Sequence, residues 1–371
     1  MENGERRKER TIGRKITGVG GGGEASRRLA PPGARIPARS KETADHGPLT
    51  IVLRRCIVIT RQPASATNQT RKNMVSLPAR YKEEKRSARN RLLVGSQLFD
   101  TSMGVVEAAV TGQGSAVLIS HGSGGGYDMG LWLVQLIGGP FQYIAPSRFG
   151  YLRSPVPPDP TPETQADTYA ALLDTLHVDS VIIIGLSAGG ASALQFALRH
   201  PGRCRGLVMI SAASRSVPPL SPLLRAIYPL MLRSDLLPWL FYTAAPHKVF
   251  EANGVSPALL AKIKPDREKM RLLDALYQTT FPSTLRRDGM MNDMRQLTIL
   301  PRYPLEQITV STLVVHAVND PIIPFEAGEF CAHTIPDAQF LRLEDGGHFA
   351  CVTHREETMP VVQGFLKRCG V

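Results

Sequence analysis

The 371-residue chain carries 44 Lys plus Arg against 32 Asp plus Glu, a formal net charge of +12, with 43% hydrophobic residues and five cysteines. That composition excludes collagen-like, coiled-coil and disulfide-framework classes, and a basic balance of this size first suggests nucleic acid or an anionic membrane as partner. The charge is local, however: residues 1–90 hold 21 Lys/Arg against 8 Asp/Glu, leaving 23 against 24 in the remainder.

None of the 23 aromatic residues precedes Tyr81, and Gly20 to Gly23 is an unbroken glycine run. Residues 1–90 therefore read as a basic, disordered extension with too little to bury. Glu2, Glu5 and Glu9 argue against an organellar transit peptide, and an upstream extension of the reading frame with Met74 as the start fits the same composition. The cysteines (Cys56, Cys204, Cys331, Cys351 and Cys369) are odd in number and lack Cys-x-x-Cys spacing, which points away from a disulfide scaffold or a zinc site. No run approaches the about 18 apolar residues of a membrane span, so a reducing, cytoplasmic location without a transmembrane segment is expected. Residues 91–371 suffice for one large domain, or for one domain with an inserted subdomain.

In chain order, Ala116 to Ser120 is a short apolar run ending at the glycine-rich His121–Gly126 loop, as a buried strand delivering a loop would look. Tyr143 to Ala145 is a second short strand entering the loop Pro146–Pro155. Helical spacing over Asp167 to Leu176 is followed by the β-branched run Ser180 to Ile184. Ala191 to His200 is again helix-like, closed by Pro201 and Gly202. Gly206 to Ser211, Val310 to His316 and Gln339 to Leu343 complete the strands. This rhythm predicts an α/β fold with a mainly parallel sheet and helices on both faces, with function in loops at the carboxyl ends of the strands. Between the strands near Ala213 and Thr309, the apolar stretches Leu220–Leu232, Leu236–Tyr242 and Met270–Leu276 predict an inserted helical lid at about 215–305.

Chemistry is expected at three strand ends. Gly185-Leu186-Ser187-Ala188-Gly189 stands between a buried strand and a helix, where small neighbours let Ser187 occupy a cramped turn with its hydroxyl above the sheet. A serine needs a base, and the base needs an orienting acid. His348, in a glycine-loosened loop after the last strand, is the candidate base. His316 ends a strand and reads as packing, His200 as a helix end, His354 as helix surface and His121 as a hydrogen bonder in its loop. Asp320, after the penultimate strand, is the candidate acid; Asp345 competes but lies on the same loop as His348. The chain order Ser187, Asp320, His348 matches one of the convergent triads. Oxyanion donors are expected from the backbone of Ala188 and of Ser123 or Gly124. A phosphate cradle is the competing reading of the glycine loop, which lacks both the Gly-Lys-Ser/Thr of a P-loop and the continuation of a dinucleotide fingerprint.

With these residues in hand, residues 91–371 resemble the α/β-hydrolase superfamily, and within it the capped bacterial serine hydrolases: carboxylesterases, carbon–carbon bond hydrolases and cofactor-free perhydrolases. The carriers are HGSGGG at 121–126, SRFGYLRSP at 147–155, GLSAGG at 185–190, VNDPIIP at 318–324 and DGGHF at 345–349. The resemblance implies an eight-stranded, mainly parallel sheet and a nucleophile–acid–base set at Ser187, Asp320 and His348. Serine at position 187 argues against the epoxide hydrolases and haloalkane dehalogenases, which carry Asp there. Arg148 and Arg153 resemble arginines that brace loops in this family. The glycine loop lacks the proline common in carbon–carbon hydrolases.

The leading expectation is a carboxylesterase acting on a small apolar ester, with a small-molecule substrate, no cofactor, no metal and no nucleic-acid partner. Carbon–carbon bond hydrolysis of the meta-cleavage type is the second enzyme reading. A non-catalytic ligand-binding protein on the same scaffold is the reading from another class.

Overall fold

The computed structural model describes residues 76–370, all within one compact unit. The basic stretch up to residue 75 lies outside the described residues. Eight strands form one sheet in the order β1-β2-β4-β3-β5-β6-β7-β8. Strands β1 (Gln97–Thr101) and β2 (Gly104–Thr111) pair antiparallel, and β2 meets β4 (Phe141–Pro146) antiparallel. From β4 the sheet continues parallel through β3 (Ser115–Ser120), β5 (Val181–Leu186), β6 (Cys204–Ile210), β7 (Thr312–Ala317) and β8 (Gln339–Leu343).

Successive side chains of a strand point to opposite faces, and here both faces are covered. Ile182 and Ile184 of β5 enter one core and Ile183 enters the other. The first core is closed by α2 (Tyr127–Ile137), the short α12 (Ala350–Thr353) and the carboxyl-terminal α13 (Arg355–Cys369). The second is closed by α3 (Pro162–Thr175), α4 (Gly190–Arg199) and α11 (Phe325–Thr334). An uninterrupted apolar run such as Val181–Ile184 is therefore the expected signature of a central parallel strand. The hairpin β1–β2 and helix α2 are not anticipated by the sequence pattern. Strand β1 sits at the edge with only partial burial, so little alternation is imposed on it.

Six helices occupy the connection between β6 and β7: α5 (Pro222–Met231), α6 (Leu236–Ala244), α7 (Pro246–Ala252), α8 (Pro257–Ile263), α9 (Arg267–Gln278) and α10 (Arg287–Gln296). Ser221 and Ser256 cap α5 and α8 by accepting from the N–H three residues on, and Asp266 caps α9 with two such bonds.

One expectation is corrected. Residues 77–90, placed within the disordered extension, belong to helix α1 (Leu77–Val94). Composition could not reveal it because the helix is highly charged and draws its support from distant partners. Tyr81 packs edge-on against Trp239 of α6 at 5.2 Å, and Glu84 accepts the Trp239 indole N–H at 2.6 Å. Lys85 pairs at 2.7 Å with Asp235, whose side chain is fully buried. At its other end Leu92 is buried beside Ala109 of β2 and Ala145 of β4. Helix α1 thus ties the insertion to the sheet.

Burial pushes the Asp235 carboxyl up, but hydrogen bonds from Lys85 and Thr284 outweigh it and hold the group below its ordinary value. A carboxylate depressed in the folded state contributes stability above its unfolded pKa and loses it as pH falls. Lys85→Met is accordingly expected to cost about 1.5–3 kcal/mol near neutral pH, with the difference from wild type shrinking below about pH 4. Urea unfolding at both pH values measures it; a deficit independent of pH would contradict the assignment.

Candidate active site

Strand β5 is buried throughout and ends at Leu186, so the following residue emerges at the carboxyl edge of the sheet. Ser187 has φ +50°, a left-handed conformation that costs a non-glycine residue on the order of 1–3 kcal/mol. A single 3-10 turn over Ser187–Gly189 then leads into α4. The turn fits only because Gly189 has no side chain: a Cβ there would stand 2.1 Å from the Ser120 carbonyl oxygen.

The structure brings Ser187, His348 and Asp320 together. His348 Nε2 lies 2.9 Å from Ser187 Oγ, and His348 Nδ1 lies 2.8 Å from Asp320 Oδ2. The other Asp320 oxygen accepts the backbone N–H groups of Ile322 and Ile323 at 2.8 and 3.0 Å. An acceptor-only carboxylate at Nδ1 favours the tautomer with its proton there, leaving Nε2 to accept from Ser187. His348 is carried on Gly346 and Gly347, both at positive φ. A Cβ on Gly347 would stand 2.2 Å from the Asn253 carbonyl oxygen, which itself accepts the His348 N–H at 2.7 Å. Asn319 completes the loop by accepting from Gly347 N–H at 2.8 Å and donating to the Gly254 carbonyl at 3.0 Å.

The four histidines set aside in the sequence, His121, His316, His200 and His354, have other partners. His121 donates from Nδ1 to the Gly122 carbonyl at 2.7 Å and accepts the Arg148 N–H at Nε2, 2.9 Å. Burial, then the nearby Arg148 charge, holds its pKa well below the ordinary value, so the ring is neutral. His316, likewise lowered by burial, donates to the Ile323 carbonyl at 2.9 Å and stands 3.6 Å from Asp320 Oδ2. His200 pairs with Asp167 and His354 with Asp345, each at 2.8 Å, while His348 Nδ1 is paired with Asp320.

Of the three expected oxyanion donors, Ser123 and Gly124 line the same cavity as Ser187, and Ala188 is buried in the turn just after it. The Gly124 N–H already donates to the Tyr151 hydroxyl at 3.3 Å, and Ser123 Oγ lies 3.2 Å from that hydroxyl. Tyr151 in turn donates to Asp293 Oδ2 at 2.5 Å, and Asp293 takes a two-pronged contact from Arg148 at 2.7 and 2.6 Å. Burial, followed by the Asp293 charge, raises the Tyr151 pKa well above the ordinary value, so it stays a donor. Arg153 braces the neighbouring loop through Glu107 at 2.7 Å. Tyr151 and Asn319 lie inside the quoted stretches at 147–155 and 318–324 but received no role from sequence reasoning, and Asp293 and Asn253 lie in no quoted motif; each acts through a partner far along the chain.

Ser187 and His348 open onto a cavity of about 330 Å³. Its walls are mostly apolar, including Met129, Trp132, Phe250, Leu273, Leu276 and Met290, and no Asp, Glu, Lys or Arg lines it. Three helices of the insertion, α7, α9 and α10, contribute to this lining, from Val249 to Met290. Among the described residues no cluster of His, Cys, Asp and Glu has metal-holding geometry, and no helix is long and apolar enough to cross a membrane.

Comparison with known proteins places the fold in a family. The profile of the α/β-hydrolase fold matches residues 115–355. RutD of Yersinia enterocolitica, named for carbamate hydrolysis, is 29% identical over 273 residues, covering 69% of this chain and 90% of its own. The 2-hydroxymuconate semialdehyde hydrolase of Pseudomonas sp. CF600 is 27% identical, covering 69% and 88%. Among solved structures, an α/β-hydrolase fold protein from Nakamurella multipartita superposes with a TM-score of 0.62 at 29% identity, covering 74% of this chain and 98% of its own. With a serine at the strand-to-helix turn and a family match over most of the described residues, the chain belongs to the α/β-hydrolase family.

Proposed function

We propose that the protein is a serine carboxylesterase acting on a small, uncharged, apolar ester. Ser187 Oγ attacks the carbonyl carbon while His348 Nε2 takes its proton, and Asp320 holds and stabilises the resulting imidazolium. Negative charge on the carbonyl oxygen is met by the N–H groups of Ala188 and Ser123; Ser123 is preferred to Gly124, whose N–H is turned toward Tyr151. The intermediate collapses as His348 returns the proton to the leaving alcohol. Water then attacks the acyl-enzyme, giving its proton to His348, and the acid departs as Ser187 Oγ is reprotonated. The helices between β6 and β7 act as the cap of the chamber.

The observation that carries this reading is the uncharged, apolar lining around Ser187. A muconate semialdehyde, the substrate class in one relative's name, bears a carboxylate, and burying that charge without a cationic partner costs several kcal/mol. An ester with short apolar groups carries no such penalty. Purified protein is expected to turn over p-nitrophenyl butyrate with a kcat/KM at least tenfold above that for a carboxylate-bearing ring-cleavage product. The reverse preference would favour carbon–carbon hydrolysis. Folded protein whose Ser187 is not labelled by a fluorophosphonate would instead be a binding module.

A further inference from the structure

Behind the catalytic cavity lies a second space, a groove of about 580 Å³ between α1, α2 and α9. The linings of cavity and groove share a single residue, Trp132. Helices α2 and α9 form the partition. On α2, Met129 faces the cavity while Leu131 and Gln135 face the groove; on α9, Leu273 and Leu276 face the cavity while Ala275 and Gln278 face the groove. Trp132 fills the seam between the two helices. It is 3% exposed, and its indole N–H donates to the Leu272 carbonyl of α9 at 2.9 Å, which fixes the ring in place.

We propose that Trp132 is the end wall that limits substrate length, and that the groove behind it is a latent second compartment of the binding site, suited to an alkyl chain whose ester group is held at Ser187. This rests on the esterase reading above. Several charged groups of the groove are already partnered: Asp128 by Arg286, Asp274 by the Tyr242 hydroxyl and Arg271 by Glu268. For a ligand near the seam the groove offers apolar surface from Leu92, Leu131 and Ala275, beside the polar side chains of Arg91, Gln135 and Gln278. A cavity near 330 Å³ is at the small end for ligand sites, which run from about 300 to 1,000 Å³. Because a close-packed interior relaxes only partly when a large side chain is removed, loss of the indole joins the two spaces.

The test compares wild type with Trp132→Ala and Trp132→Leu, reading the ratio of kcat/KM for p-nitrophenyl decanoate to that for the butyrate, with folding followed by circular dichroism. Trp132→Ala is expected to raise the ratio at least tenfold and Trp132→Leu by a smaller factor. An unchanged ratio in folded Trp132→Ala overturns the proposal. If that variant does not fold, an unchanged ratio in Trp132→Leu overturns it equally. The underlying esterase reading fails differently, by absence of butyrate turnover and of fluorophosphonate labelling in wild type, and that result overturns this inference with it.

Discussion

Asp320→Asn is expected to lower kcat on p-nitrophenyl butyrate by roughly 10⁴, and Ser187→Ala by roughly 10⁶, by analogy with the serine-protease cases. The first value follows from hydrogen-bond logic rather than from lost charge alone. In wild type, Asp320 Oδ1 takes two backbone N–H groups, which leaves Oδ2 to accept from His348 Nδ1. In the Asn variant the side-chain oxygen is drawn to the same two N–H donors, and its amide NH₂ then faces Nδ1. The ring responds by carrying its proton on Nε2, where it can no longer accept from Ser187. The proposed substrate site is the apolar cavity, which Asp320 does not line, so KM is expected to change little. Steady-state kinetics on both variants measure this; full activity in Ser187→Ala would remove the proposed mechanism, and full activity in Asp320→Asn would remove the acid from it.

Asp293→Ala is expected to destabilise the protein by about 3–5 kcal/mol, because it strands a buried guanidinium. Burial works against the Arg148 charge, and the Asp293 carboxylate outweighs it, leaving the pKa above the ordinary arginine value. With Asp293 gone, burial is left to lower the Arg148 pKa, but an arginine starts above about 12 and stays charged near neutral pH, so deprotonation is no escape. Both side chains are under a tenth exposed, so water cannot replace the partner without opening the packing between α10 and the Arg148 loop. A fall in Tm of roughly 10 °C is the corresponding observable. The same substitution removes the acceptor of the Tyr151 hydroxyl, which orients the Ser123–Gly124 loop, so any folded fraction should also show reduced kcat. Unchanged Tm would mean that Arg148 finds another partner or that the contact is solvated.

The main-chain plan and the three polar residues at the strand ends were legible because each depends on a short stretch of sequence. A β-branched run followed directly by G-x-S-x-G specifies a buried strand, a tight turn and a helix within about fifteen residues. Asp320 and His348 stood out because loops after parallel strands gather on one rim, whatever lies between them in the chain. The apolar stretches of the insertion were visible as helical for the same local reason, although their bounds and number were not.

What the tertiary structure alone decided involves side chains brought together from afar. Tyr151 and Asp293 are 142 positions apart, and neither tyrosine in a loop nor aspartate on a helix is distinctive by itself. Residues 77–90 of helix α1 read as disordered because charge dominates their composition; the helix holds through Trp239, Asp235 and the sheet, none of which is near it in sequence. Trp132 belongs to no motif, and only the fold sets it between two separate spaces. The basic charge of the whole chain was located by sequence in its first quarter. The uncharged character of the chamber over Ser187 required the fold, because its lining runs from Gly122 to Cys351. Local sequence determines backbone conformation and the chemistry on offer, whereas long-range packing decides which of those groups meet, since each such contact depends on the placement of every element between them.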